Sequence, residues 1–124
     1  MVTIVIVDAA VMRRAVRETL RHEVGLRVVG EAGSLRRALA VVERIQPDII
    51  LVDAEIADLD APTAVRALRQ RAPSSALIVV TIEPDRLARV VEHVGGTQVV
   101  SKVDGPAALL GAVRRAATHG RGPT

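Results

Sequence analysis

The sequence predicts an α/β domain: a doubly wound, five-stranded parallel sheet in a three-layer α/β/α arrangement. Three observations carry that prediction. Asp48-Ile49-Ile50-Leu51-Val52-Asp53 is an unbroken apolar run ending in a carboxylate, and a run without polar alternation fits a strand buried on both faces. Segments of this kind alternate along the chain with stretches whose apolar residues recur at helical spacing, the pattern of parallel sheets with right-handed crossovers. At 124 residues the chain makes one domain with one core.

Taken in order, Thr3-Ile4-Val5-Ile6-Val7-Asp8 is the first strand, again apolar and ending in Asp. Val11/Met12, Ala15/Val16 and Thr19/Leu20 then step along the inward face of a helix, with Arg13, Arg14, Arg17, Glu18 and Arg21 opposite. Met12 is expected in the core. Gly25 closes that helix. Arg27–Ala32 is a weaker strand suited to an edge, and Ser34 caps a second helix carrying Leu35, Leu39, Val42 and Ile45. After Gln46-Pro47 comes the central strand to Asp53, then an acidic loop through Leu59. Asp60 caps a third helix, with Pro62 in its first turn and Val65 and Leu68 facing in. Ala76–Thr81 is a fourth strand. Pro84 opens a helix carrying Leu87, Val90, Val91 and Val94, closed by Gly95-Gly96. Gln98–Ser101 is a short fifth strand, followed by Lys102. Gly105-Pro106 starts the last helix, with Leu109, Leu110, Val113 and Ala117 inward. Residues 1–118 form the domain, and 119–124 have linker or tail composition. Length and alternation suit a flavodoxin-like sheet.

Composition excludes several chemistries. There is no cysteine, which removes disulfides, thiolate metal sites and thiol catalysis. There is no Phe, Tyr or Trp, so the core is built from Val, Leu, Ile and Ala, and the stacking platforms of single-strand and RNA binders are missing. No apolar run approaches the ~18 residues of a membrane span, and Met1-Val2-Thr3-Ile4 lacks a secretory pattern. The expected location is cytoplasmic, with no membrane partner. The net charge is +3, and sixteen of the seventeen basic residues are arginines, most of them on predicted helices, a solvated face rather than a nucleic-acid patch. The one lysine is Lys102.

In an open parallel sheet, chemistry gathers past the carboxyl ends of the strands. Here those ends deliver Asp8, Asp53, Thr81 and Lys102. A carboxylate can take a phosphoryl group, and a second can help hold Mg²⁺, which wants oxygen ligands. A lysine and a hydroxyl can bind phosphoryl oxygens. Other enzyme classes lack support. The turn after Asp8 is Ala9-Ala10-Val11 rather than a glycine-rich phosphate loop, Asp53 is followed two residues later by Glu55 where a haloacid dehalogenase phosphatase needs Asp, and His22, His93 and His119 fall on helix surfaces or the tail. The chain is not expected to be an enzyme.

The chain resembles the receiver domain of two-component response regulators (the CheY-like fold), and most of all the NarL/LuxR-type branch with a helix-turn-helix output. The resemblance rests on Ile6-Val7-Asp8 followed by Met12-Arg13-Arg14, on Pro47 through Asp53, on Asp60, on Val79-Val80-Thr81 and on Val100-Ser101-Lys102. It implies that Asp53 is the phosphoacceptor, that Asp8, Asp53 and the backbone carbonyl of Glu55 surround Mg²⁺, that Thr81 is the switch hydroxyl, and that Lys102 pairs with the phosphoryl group. It also implies a sensor histidine kinase as partner, homodimerisation as readout, and DNA contact only through an output domain that these residues do not include.

The departures from the family pattern are specific. Ala9 stands where a second acidic residue supplies a metal ligand, which should weaken or abolish Mg²⁺ binding. The loop Ile56-Ala57-Asp58-Leu59-Asp60-Ala61 lacks the usual proline and glycines, Val99 replaces an aromatic partner of the switch hydroxyl, and Val103 replaces Pro or Asp after the lysine. Only the backbone of Glu55 is expected to matter, and Asp58 is expected to be loop-exposed. Two readings follow: a phosphorylation switch gating a transcriptional output, or an atypical receiver that acts without phosphate under the control of a partner or small ligand.

Overall fold

The computed structural model describes residues 1–56, 60–91, 93–94 and 97–118. Among them five strands alternate with five α-helices: β1 (Val2–Val7), α1 (Ala10–Arg21), β2 (Leu26–Ala32), α2 (Leu35–Ile45), β3 (Ile49–Asp53), α3 (Ala61–Arg71), β4 (Ala76–Thr81), α4 (Pro84–Val91), β5 (Thr97–Ser101) and α5 (Gly105–Thr118), with a 3₁₀ turn at Lys102–Asp104. All strand pairs are parallel, in the order β2-β1-β3-β4-β5. This is the flavodoxin-like order, which reverses between β1 and β3. Linker-like residues 119–124, Asp58 and Gly95-Gly96 lie outside the described residues.

The period-2 geometry of strands splits the core into two layers. Val5 and Val7 of β1, with Ile50 and Val52 of β3, face α2, α3 and α4, where Leu35, Val42, Val65, Leu68 and Leu87 meet them. Ile4 and Ile6, with Ile49 and Leu51, face the other way toward Leu20 of α1 and Leu109, Ala112 and Val113 of α5. Every residue of β3 is buried, as an unbroken apolar run requires.

Local chemistry sets the boundaries. Asp48 precedes β3 rather than joining it. Its carboxylate accepts from Thr3 N at 2.8 Å and Thr3 Oγ1 at 3.0 Å, and its own N–H donates back to Thr3 Oγ1 at 3.0 Å, which pins β1 to β3. Ser34 Oγ accepts from Arg37 N at 3.3 Å, capping α2 as expected. Ser34→Ala is expected to lower stability by about 1 kcal/mol, measured by urea denaturation followed by far-UV circular dichroism, since the chain has no aromatic fluorophore. Gln46 ends α2 at φ 52°, a left-handed position that usually takes glycine. Its side chain compensates by donating to the carbonyls of Val42, Glu43 and Arg71. Edge strand β2 carries a bulge where Ile4 pairs Val28 and Val5 pairs Gly30. A Cβ on Gly30 would sit 3.0 Å from both Ile45 and Val41, so glycine there admits α2.

Two expectations about packing are corrected. Met12 is 44% exposed and Val11 is 80% exposed, not core. The first turn of α1 overhangs the carboxyl edge of the sheet, and burial on this helix is confined to Leu20 near its far end. Val90 also turns outward, because Leu87 and Val91, four residues apart, already fill the inward stripe of α4.

Candidate functional site

The sheet register brings the expected groups to one rim. Val7 pairs Val52, which sets Asp8 beside Asp53, while Asp53 pairs Val80 and Thr81 pairs Ser101, which sets Thr81 and Lys102 one step away. Asp8, Asp53 and Thr81 are all buried at this edge. The 3₁₀ turn begins at Lys102, with Ser101 Oγ accepting from Val103 N.

Asp53 is held on one oxygen. Its Oδ1 lies 2.8 Å from Lys102 Nζ and accepts from Glu55 N at 2.9 Å. Asp8 Oδ1 accepts from Ala9 N at 2.7 Å, and the sheet register sets its carboxyl beside that of Asp53. Burial, then the neighbouring Asp53 carboxyl, push Asp8 up from 3.8 to about 7. Burial also works to raise Asp53 but is outweighed by its bonds to Asp8, Lys102 and the Glu55 backbone, so Asp53 is shifted down. Burial likewise works against the charge on Lys102, and its bonds to Asp53 and Glu55 overcome that and shift it up. Asp53 is therefore the ionised member of the carboxyl pair and Asp8 the proton holder.

That assignment gives a pH dependence. Between about 3.8 and about 7 the folded chain keeps the Asp8 proton that the unfolded chain has lost, so this contribution to stability declines as pH rises through that window. The lowered Asp53 acts oppositely, but its contribution is lost only as pH falls below the ordinary carboxylate value. The Tm is expected to drop between about pH 4 and about pH 7, and Asp8→Asn is expected to flatten that drop, as read by thermal melts across a pH series.

One contact read from the sequence as the lesser alternative is made, and one went unread. The Glu55 side chain, two residues past Asp53, can reach back toward the site, and it does. Only the backbone of Glu55 is expected to matter, yet its side chain enters the cluster. Oε1 lies 3.0 Å from Lys102 Nζ, and Oε2 accepts from Thr81 Oγ1 at 3.2 Å. Thr81 Oγ1 in turn accepts from Glu83 N at 3.1 Å. Its spacing, two residues past Asp53, was the available signal. Arg13, expected on the solvated face of α1, instead donates to the Asp8 carbonyl at 2.8 Å and pairs with Glu31 at 3.5 Å, bracing the loop that carries Asp8. A Cβ on Gly33 would lie 2.5 Å from that guanidinium, so the bare glycine makes room for it. Val99 is partly buried against the core on the α4 side.

The donors suit a hard cation. Among the described residues no three acidic or histidine side chains form a ready metal cage. Mg²⁺, however, needs only one or two protein carboxylates and keeps several waters, and Asp8 and Asp53 bring two buried carboxyls side by side at this rim. Ala9 offers no side-chain ligand.

The profile of the response regulator receiver domain matches residues 3–114. A protein-glutamate methylesterase/protein-glutamine glutaminase of Alkalilimnicola ehrlichii is 33% identical over 82 residues, covering 66% of this chain and 21% of that protein. The uncharacterized transcriptional regulatory protein YhcZ of Bacillus subtilis is 32% identical over 87 residues, 70% of this chain and 38% of that protein. The chain thus spans well under half the length of these relatives. Among solved structures, a LuxR-family two-component response regulator from Aurantimonas sp. SI85-9A1 superposes with a TM-score of 0.86 at 24% identity, covering 96% of this chain and 86% of that one, a likeness of fold alone. The chemotaxis protein CheY4 of Vibrio cholerae gives 0.79 at 26% identity, with 94% and 98% covered.

Proposed function

This chain belongs to the response regulator receiver domain family, and on that premise we propose that it is a phosphorylation switch with Asp53 as acceptor. The family is regulatory rather than catalytic. The observation that carries the reading is the pairing of one ionised, buried carboxylate with one ammonium at 2.8 Å, on the rim where the strand ends converge. Lys102 and the Glu55 N–H hold Oδ1, and the other oxygen attacks the phosphorus of a phosphohistidine on a sensor histidine kinase. The new P–O bond makes an acyl phosphate as the P–N bond breaks, and the imidazole, already protonated on its other ring nitrogen, leaves as the neutral ring. Asp8, Asp53 and the Glu55 carbonyl would hold Mg²⁺, which supplies charge neutralisation for the transferring group.

In this reading Glu55 occupies the places that two phosphoryl oxygens take, one on Lys102 and one on Thr81. Phosphorylation displaces it, Thr81 turns to the phosphoryl group, and the β4–α4 connection moves with it. Glu55→Ala is expected to speed labelling of Asp53 by acetyl phosphate about fivefold, the effect of removing a competing ion pair of about 1 kcal/mol. Initial rates by intact mass spectrometry check this.

The proposed output is dimerisation and transcription through a NarL/LuxR-type DNA-binding domain in the cytoplasm. The relative YhcZ, described as a transcriptional regulatory protein, supports it. Among the described residues no helix is long and apolar enough to cross a membrane. The second reading, a receiver working without phosphate, is favoured by Ala9 and Val99. Sedimentation velocity with and without Mg²⁺ and beryllofluoride separates the two. A monomer that becomes a dimer on treatment supports the switch, and a dimer in both conditions supports the phosphate-independent receiver.

A further inference from the structure

The connection from β1 to α1 carries Asp8, yet two common anchors of a helix start are missing from it. Ala9 is the N-cap of α1, with an extended backbone and no side-chain cap. The first turn has no buried apolar residue, since Val11 and Met12 are both exposed. Beneath it lies a cleft of about 170 Å³, lined on the α1 side by Met12, Ala15 and Val16, so little packs up against that turn. Arg13 fills the gap. Its Nη1 donates to the Asp8 carbonyl at 2.8 Å, one residue before the cap, while its Nε lies 3.5 Å from Glu31 Oε1. Glu31, near the end of β2, is also held by Arg17 at 2.6 Å. The Asp8 N–H donates to the Ala32 carbonyl at 3.0 Å. The Asp8 backbone is thus tied to β2 twice, directly through Ala32 and by way of the Arg13 guanidinium. Position 33 leaves room for this strut, because a Cβ there would lie 2.5 Å from Arg13 Nη1.

We propose that Arg13 is a positioning residue for Asp8, and that its guanidinium replaces the cap that Ala9 cannot provide. A planar, always-charged fork can bridge a carbonyl and a carboxylate in this way. The consequence lies at the rim. Asp8 Oδ1 accepts from Ala9 N at 2.7 Å, so the carboxyl keeps its place beside Asp53 only while the Asp8–Ala9 peptide keeps its own. Positions 9 and 13 are therefore coupled, and a residue at 9 that caps α1 makes the arginine dispensable. Arg17 provides the contrast, since it pairs with the same Glu31 but has no bond to Asp8. The effect of Arg13 on phosphoryl transfer rests on Asp53 as acceptor, whereas its effect on the placement of Asp8 does not.

The test follows two signals in variants shown by circular dichroism melts to be folded. Amide hydrogen exchange at Ala9, read by NMR, reports the seat of the Asp8 carboxyl. Initial labelling by phosphoramidate with Mg²⁺, read by intact mass, reports its chemistry. Arg13→Ala is expected to speed Ala9 exchange about tenfold, the scale of one lost hydrogen bond to a charged group. It is expected to slow labelling about tenfold, as displacement of a group in a reacting cluster does. Gly33→Ala pushes the guanidinium aside without removing it and is expected to move both signals the same way by a smaller factor. Ala9→Ser added to Arg13→Ala is expected to return both signals to within about twofold of the parent, because serine caps a helix without adding a carboxylate. Arg17→Ala is expected to leave both unchanged. Ala9 exchange that does not respond to Arg13→Ala, an equal response to Arg17→Ala, or no rescue by Ala9→Ser would each overturn the role of Arg13. A parent chain that phosphoramidate does not label counts against Asp53 as acceptor, and the exchange signal alone then decides the role of Arg13.

Discussion

Lys102→Ala is expected to slow phosphoryl transfer to Asp53 by about a hundredfold, the scale on which loss of one preorganised donor acts at a developing charge. Its ammonium lies 2.8 Å from Asp53 Oδ1 and 3.0 Å from Glu55 Oε1, and it is the only lysine in the chain. Without it, three carboxyl groups share one rim with no cation among them, and the downward shift of Asp53 loses two of its causes. Asp53 then loses the ammonium that positions Oδ1, and the transferring phosphoryl group loses its one side-chain cation. The loss in stability is small by contrast, about 1 kcal/mol, because the lysine head is partly solvated. Labelling rate by intact mass, with melting temperature measured in parallel, separates the two effects. Lys102→Arg is not expected to restore the rate, since a planar fork cannot replace a compact point charge at two carboxylates.

Ile50→Ala is expected to remove 2–5 kcal/mol of folding stability, on the order of the loss for a fully buried large-to-small change. Ile50 is 0% exposed at the centre of the sheet and belongs to the layer packed under α2, α3 and α4. Domains of this kind have about 5–15 kcal/mol in hand, so this one truncation is expected to bring the chain close to its unfolding threshold. No aromatic ring is available nearby to collapse into the void, because the chain contains none. The midpoint of urea unfolding by far-UV circular dichroism is the measure, with Ser34→Ala as the mild comparison.

The fold was legible because its signals are local. An apolar run such as Ile49–Val52 declares a strand buried on both faces, and the alternation with amphipathic segments declares parallel order. Asp8, Asp53, Thr81 and Lys102 were legible for the same reason, since each lies at or just past a strand end and the topology alone brings such ends together. What escaped, or was weighed the wrong way, depends on approach between distant segments. The Glu55 side chain acquires its role only because Thr81 and Lys102, from two other strands, are within its reach. Arg13 reads as a surface arginine until Glu31 and Gly33 at the end of β2 are brought beside it. Met12 and Val11 obey the helical stripe, but a stripe does not say where the sheet beneath a helix stops. The bulge in β2 and the need for glycine at position 30 follow from the seat of α2 on that strand, which no pattern of spacing encodes.

The central claim is that Asp53 accepts a phosphoryl group despite the alanine at position 9. Intact mass after incubation with phosphoramidate, with and without Mg²⁺, tests it most directly, with Asp53→Asn alongside. The expected result is a gain of one phosphoryl group, dependent on Mg²⁺ and absent from the variant. No gain under either condition, in protein shown to be folded, would contradict the account.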